Sequence, residues 1–180
     1  MDVHELEKLK YPVGKFPMKS NFTQEEISNN IKTIEDFPAK LRNIVEKMTD
    51  SQLNTPYRPG GWNARQVVHH VGDSHMNAFS RIKLALTEDA PIIKPYFEDR
   101  WAELADYKDT PIEISLILLE SLHKRWVILL NSLTPEDLKK SFVHPEHSTK
   151  FSVEQIINIY AWHSRHHLAH ITNLKERMGW

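Results

Sequence analysis

The chain has 180 residues, with 23 Lys plus Arg against 24 Asp plus Glu, 40% apolar residues, 11 His and no Cys. One domain with one core is the default at this length, and a formal charge of −1 supplies no basic field of the kind that drives nucleic-acid binding by counterion release. Without cysteine there are no disulfides, thiolate zinc sites, iron–sulfur clusters or cysteine nucleophile.

The N-terminal stretch MDVHELEKLKYPVGKFP lacks the apolar core of a signal peptide. No segment reaches the roughly 18 consecutive apolar residues of a membrane span. A cytoplasmic protein with no membrane partner is expected. Residues 1–22 hold Pro12, Gly14 and Pro17 without sustained periodicity, which reads as an extended arm lying on a domain formed by residues 23–180. The arm is expected to be dispensable for metal binding while shaping the pocket.

Thr23 followed by Glu26 is a capping-box pattern that opens a helix to about Met48, with Pro38 expected to kink it. LNTPYRPGGW, residues 53–62, is a loop rich in Pro and Gly, and Asn63 with Gln66 opens a second helix to about Thr87. Residues 88–110, with Pro91 and Pro95, form a long crossover in which EDRWAEL makes one or two helical turns. Thr110 as N-cap and Pro111 at the first helical position start a third long helix to about Asn131, and Thr134-Pro135-Glu136-Asp137 starts a short one. Ser152 and Gln155 open the last long helix, which runs to Met178 and stops at Gly179. Four long helices, one long crossover and no convincing alternating strand predict an all-α four-helix bundle.

The segment WHSRHHLAH places His163, His166, His167 and His170 within nine residues of the last helix. Two pairs have the four-residue spacing that stacks side chains on one helix face. Measured against the apolar stripe of Val153, Ile156, Tyr160, Ile171, Leu174 and Met178, His167 and His163 lie roughly 20° and 60° from its centre, His170 and His166 roughly 80° and 120°. The inward pair is His163 and His167. Buried imidazoles carry a donor and an acceptor that need partners, and neutral ring nitrogens at this spacing can converge on one divalent cation. A third ligand from another helix is then needed, and His69, His70 and His75 on the second helix are the candidates. His75 lies within that helix's apolar face, His70 at its edge beside Ser74, Asn77 and Arg81, and His69 on the far, solvated side. The wheel leaves the choice open. His123, His144 and His147 stand outside these patterns, and HPEH at 144–147 reads as surface histidines because a loop containing Pro145 fixes no ligand geometry. The five tryptophans are scattered and read as core and interface residues.

GGWNARQVVHHVGDSHMN together with YAWHSRHHLAHITNLKERMGW resembles the DinB/YfiT-like family of metal-binding four-helix bundles, and most closely its YfiT branch. The resemblance runs from YPVG near residue 11 to the terminal MGW. It implies a divalent metal held by His70, the second His of VVHHVGDS, and by the His163/His167 pair. It also implies metal-dependent hydrolysis or bacillithiol transfer, and a homodimer.

Three neutral imidazoles leave the cation its full charge and at least one open position; zinc, nickel, manganese and cobalt all suit such a set. A metal-held thiol would be deprotonated at neutral pH and could attack an electrophilic carbon, which is the S-transferase reading. Metal-held water attacking an ester or amide is the hydrolase reading. The last-helix motif has Ser164 where H-E-x-x-H has its glutamate, so the metalloprotease base is absent. A non-catalytic metal-binding stress-response bundle is the alternative of another class. Around the metal, Arg58 and Arg81 are candidate anchors for a carboxylate of a low-molecular-weight thiol. Tyr57, Asn77 and Trp162 are candidate pocket walls, and Asp73 is a candidate acceptor orienting a metal ligand.

Overall fold

The computed structural model describes residues 2–146 and 149–180. His147 lies outside them, so the HPEH stretch is described only in part.

Four long helices carry the fold: α2 (Gln24–Val45), α4 (Ala64–Thr87), α7 (Ile112–Asn131) and α9 (Val153–Met178). Shorter helices are α1 (Val3–Lys10), α3 (Asp50–Leu53), α5 (Glu98–Trp101), α6 (Ala105–Asp109) and α8 (Pro135–Lys139). The helix starts follow local chemistry. Thr23, Asn63 and Ser152 each accept from the backbone N–H three residues on, and Glu26, Gln66 and Gln155 reach back to the cap's own N–H. Two otherwise orphaned donors are thereby satisfied at each start. α9 ends on Gly179 at φ 71°, a left-handed cap that glycine adopts without a Cβ penalty. Pro38 lies inside α2 without ending it.

α2 and α4 each pack against both α7 and α9. Helices α2 and α4, consecutive long elements, therefore sit on one diagonal of the bundle, and α7 and α9 on the other. An up-down-up-down bundle would instead place consecutive helices side by side. Among the described residues no helix is long and apolar enough to cross a membrane.

Several local expectations are corrected. The N-terminal arm is not extended throughout: Asp2 and Glu5 form a capping box that nucleates α1, a signal three residues long that the later prolines mask. Pro111, not Thr110, is the N-cap of α7, with no side-chain cap bond. Residues after α8 form a two-stranded antiparallel hairpin, β1 (Ser141–His144) and β2 (Thr149–Ser152), in the register Ser141↔Ser152 to His144↔Thr149. Strands of four residues are too short for alternation to declare them. The hairpin pins the crossover, because Val143 N–H donates to Pro91 O at 2.9 Å and Ile93 N–H to Val143 O at 3.1 Å.

The core is in two parts. One is built around Ile34, Ile82, Trp126 and Ile157. The other is built around Phe37, Leu41, Val67, Leu119 and Leu174. Each long helix contributes to both. Between them, α4 supplies His70 and His75, α7 supplies His123, and α9 supplies His163 and His167, so a layer of histidines crosses the middle of the bundle.

Candidate metal centre

The sequence places His163 and His167 one turn apart on α9, and the fold brings α4 alongside with His70 facing them. One ring nitrogen of each of His70, His163 and His167 lies within 4.8 Å of the others. His70 Nε2 is 3.4 Å from His163 Nε2. Two metal–nitrogen bonds of about 2.0–2.1 Å meeting at a tetrahedral angle put their nitrogens about 3.3–3.4 Å apart, so this pair is already spaced for a shared ion. Burial removes water that would stabilise imidazolium. It lowers the His70 pKa to about 3 and holds those of His163 and His167 well below the usual histidine range. Three neutral rings with lone pairs to offer are the donor set that an imidazole-binding divalent cation takes.

The three rings line one end of a cavity of about 430 Å³. Its walls include Trp62, Ser74, Arg81, Tyr96, Tyr160 and Trp162. Tyr160 Oη and Ser74 Oγ are 3.2 Å apart and share a hydrogen bond. Burial raises both Tyr160 and Tyr96 above the usual phenol range, so each keeps its proton.

The other expected pocket residues divide. Arg81 and Trp162 line the cavity; Arg81 Nη2 donates to Lys94 O at 3.2 Å, and Trp162 stacks on His166 and donates to Gly14 O at 3.3 Å. Tyr57 and Arg58 instead line a neighbouring cleft of about 310 Å³ with Trp62 and Glu98. Tyr57 stacks on His170 at 3.9 Å between ring centroids. Arg58 lies over the Tyr57 ring and donates to Pro59 O. Asn77 turns its amide back to Asp73 O and is not on the cavity wall. Asp73 accepts from Tyr107 Oη at 2.6 Å and fastens α4 to α6, with no bond to the three histidines; burial raises its carboxyl pKa.

His69, read as solvated, is buried, and so are His166 and His170. His69 bonds to Ser115 Oγ at 2.7 Å and lies edge-on to Tyr107, because α6 and α7 cover that side of α4. His166 and His170 are enclosed by the N-terminal segment: His170 Nε2 lies 3.2 Å from Lys10 O, and His166 packs against Tyr11 and Trp162. A wheel referred to one apolar stripe cannot register a second covering surface. His123 is buried in the bundle, and His144 is half-buried on the cavity wall. Sequence reasoning missed Tyr160 as a cavity wall because it also belongs to the apolar stripe. It missed Tyr96 because a proline-flanked crossover carries no periodicity.

The family model of the DinB superfamily matches residues 33–171. The chain belongs to the DinB superfamily. Within it, a Bacillus cereus (strain ATCC 10987 / NRS 248) protein named "Putative metal-dependent hydrolase" is 56% identical over 173 residues, covering 96% of this chain and 98% of its own. A Bacillus mycoides (strain KBAB4) protein with the same designation is 54% identical over 172 residues, with the same coverages. The solved structure of YfiT from Bacillus subtilis, described as "a probable metal-dependent hydrolase with an unusual four-helix bundle topology", superposes with a TM-score of 0.94 at 49% identity. It covers 96% of this chain and 99% of that one.

Proposed function

We propose that this DinB-superfamily protein is a metal-dependent enzyme that transfers a low-molecular-weight thiol, of the bacillithiol type, to an electrophilic small molecule. The observation that carries this reading is the convergence of His70, His163 and His167, two of them buried and His163 half-buried, on the wall of a cavity sized for a small molecule. A divalent cation held by these three rings supplies a Lewis acid that lowers the pKa of a bound thiol or water. The native ion is one that imidazole ligation suits, zinc, nickel or manganese among them.

The chain's own residues do the rest. Trp62 and Trp162 offer flat apolar walls, and Arg81 offers a cation to a carboxylate of the thiol. Ser74 hydrogen-bonds to both Tyr160 and Tyr96, so the three hydroxyls form one polar cluster on the cavity wall that can donate to charge developing there. In the transfer, sulfur forms a bond to the electrophilic carbon, and the leaving group departs with its electron pair. The thiol proton goes to solvent.

Hydrolysis is the second reading, and the designations of the relatives favour it. Ser164, which stands where H-E-x-x-H has its glutamate, donates to Tyr160 O at 2.7 Å and supplies no base, which argues against a peptidase of that type and not against hydrolysis in general, since Glu98 and Glu146 line the cavity. The test is turnover of a chromogenic electrophile by metal-loaded protein with and without bacillithiol, beside a generic ester. Thiol-dependent product is expected. Equal rates without thiol would establish the hydrolase instead, and no turnover with any acceptor would leave a non-catalytic metal-binding bundle.

A further inference from the structure

Three rings, the half-buried His163 and the buried His75 and His123, connect the candidate metal centre to the backbone of α2. His163 Nδ1 is 3.1 Å from His75 Nε2. His75 Nδ1 is 2.8 Å from His123 Nε2. His123 Nδ1 is 2.7 Å from the carbonyl oxygen of Ile34. That carbonyl is available because position 38 is proline: the N–H that would bond back to Ile34 in a regular helix does not exist.

A carbonyl oxygen only accepts, and a neutral imidazole has one donor and one acceptor nitrogen. The direction of every bond follows from those two facts. His123 must carry its proton on Nδ1, leaving a lone pair on Nε2. That lone pair accepts from His75 Nδ1–H, so His75 Nε2 is bare and accepts from His163 Nδ1–H. The remaining nitrogen of His163 is then Nε2 with its lone pair exposed, and it is this atom that stands 3.4 Å from His70 Nε2. Reversing any one bond would set two lone pairs or two hydrogens against each other around His75, which has no exposed surface. Phe37, Trp126 and Tyr160 pack around the His75 ring and hold its plane.

We propose that His75 and His123 are positioning residues: anchored on the Ile34 carbonyl that Pro38 leaves free, they lock His163 in the Nδ1–H tautomer whose Nε2 is ready to ligate a divalent cation. The inference rests on the metal-centre reading and deepens it. A shorter chain of the same polarity, with one intervening ring, serves the second α9 ligand. Lys10 O accepts from His170 Nε2–H across 3.2 Å, and His170 Nδ1 faces His167 Nδ1 at 3.4 Å, which leaves His167 Nε2 bare. His70 differs, since its Nδ1 is buried without a hydrogen-bond partner. Two ligands are set in advance and the third is free to adjust. Metal-ligating histidines commonly donate their second N–H to a carbonyl or carboxylate, and loss of that partner costs about 10–100-fold in metal affinity. Here the carbonyl stands two rings away.

The test reads protonation site directly. In metal-free, full-length protein with 15N-labelled histidine at neutral pH, long-range 1H–15N correlation distinguishes a protonated ring nitrogen from a bare one. His163, His75 and His123 are expected to be protonated at Nδ1 alone. In His123→Phe, His75 loses its acceptor, and His163 is expected to become Nε2–H or mixed. Co2+ affinity should then fall at least about tenfold while one ion still binds at saturation. Protonation of His163 at Nε2 in the wild-type protein overturns the proposal, whether or not the variant folds. So does a folded His123→Phe protein with the wild-type His163 tautomer. The Nδ1–H pattern in a wild-type protein that binds no divalent ion overturns the metal-centre reading itself, which keeps the two failures distinct.

Discussion

The two apolar parts of the core and the histidine layer between them lie together inside the bundle but are specified by different physics. Around Ile34, Ile82 and Ile157, or around Leu41, Leu119 and Leu174, side chains need only fill volume, and several apolar residues of similar size satisfy that need. In the layer, His70, His75, His123, His163 and His167 need partners of the right polarity as well as the right shape. A bundle of this size closes on apolar packing alone, so a polar layer across its middle is a feature that stability does not ask for. The proposed metal site would account for it, and the two kinds of region should then fail differently when disturbed.

The largest effect should come from the apolar part. Leu119→Ala, at a fully buried position, is expected to lose about 2–5 kcal/mol of unfolding free energy in denaturant titration while still binding one metal ion per folded chain. His163→Ala should do the reverse. Metal affinity falls at least about tenfold for loss of one of three ligands, read by competition with a chelating dye; unchanged affinity would remove His163 from the site. Acid separates the two regions again, because burial lowers His123 to about 4 and His70 to about 3 from an ordinary value near 6.5. Below about pH 6.5 the unfolded chain binds protons that the folded one refuses, so stability falls as pH drops from about 6.5 toward 4. Melting of metal-free protein should show this slope, and a flat profile between pH 7 and 5 would mean that the layer is not neutral in the fold. The smallest effect concerns the N-terminal segment. A chain starting near residue 20 should fold and bind one ion, yet removal of Lys10 leaves His170 with water in place of its carbonyl, and because water can also accept, affinity for metal should fall by less than the roughly tenfold that loss of a ligand's hydrogen-bond partner costs. Identical affinity would show that the arm does not reach the site.

The sequence made three of the four long helices readable because their starts are written in short-range chemistry, Thr23 with Glu26, Asn63 with Gln66 and Ser152 with Gln155, which needs no tertiary information; α7 was readable from the proline at its start, with its cap displaced by one residue. The His163/His167 pair was readable for the same reason, since helical spacing alone places both on one face. His70 over His75 was not decidable from periodicity; the resemblance chose it, and the geometry shows why both matter, one facing the cavity and one behind His163. His69 was misread as solvated, and the burial of His166 and His170 was not legible, because their covers, α6, α7 and the N-terminal segment, come from distant parts of the chain. The hairpin at residues 141–152 and the role of Tyr96 were hidden likewise, since neither four-residue strands nor a proline-flanked crossover carries a local period.

The separations along the chain have a consequence for how the protein comes to be folded. His70 and His163 are 93 residues apart, and His123 and Ile34 are 89 apart. None of these contacts can form until helices from both ends of the chain have met, and contacts of high sequence separation close late and slowly. Metal capture then reports completed folding, and a free ion at 100 times its dissociation constant adds about 2.7 kcal/mol to the native state alone. A nascent or partly closed bundle offers the ion only the adjacent His163 and His167, so selection for the finished fold is built into the spacing of the ligands.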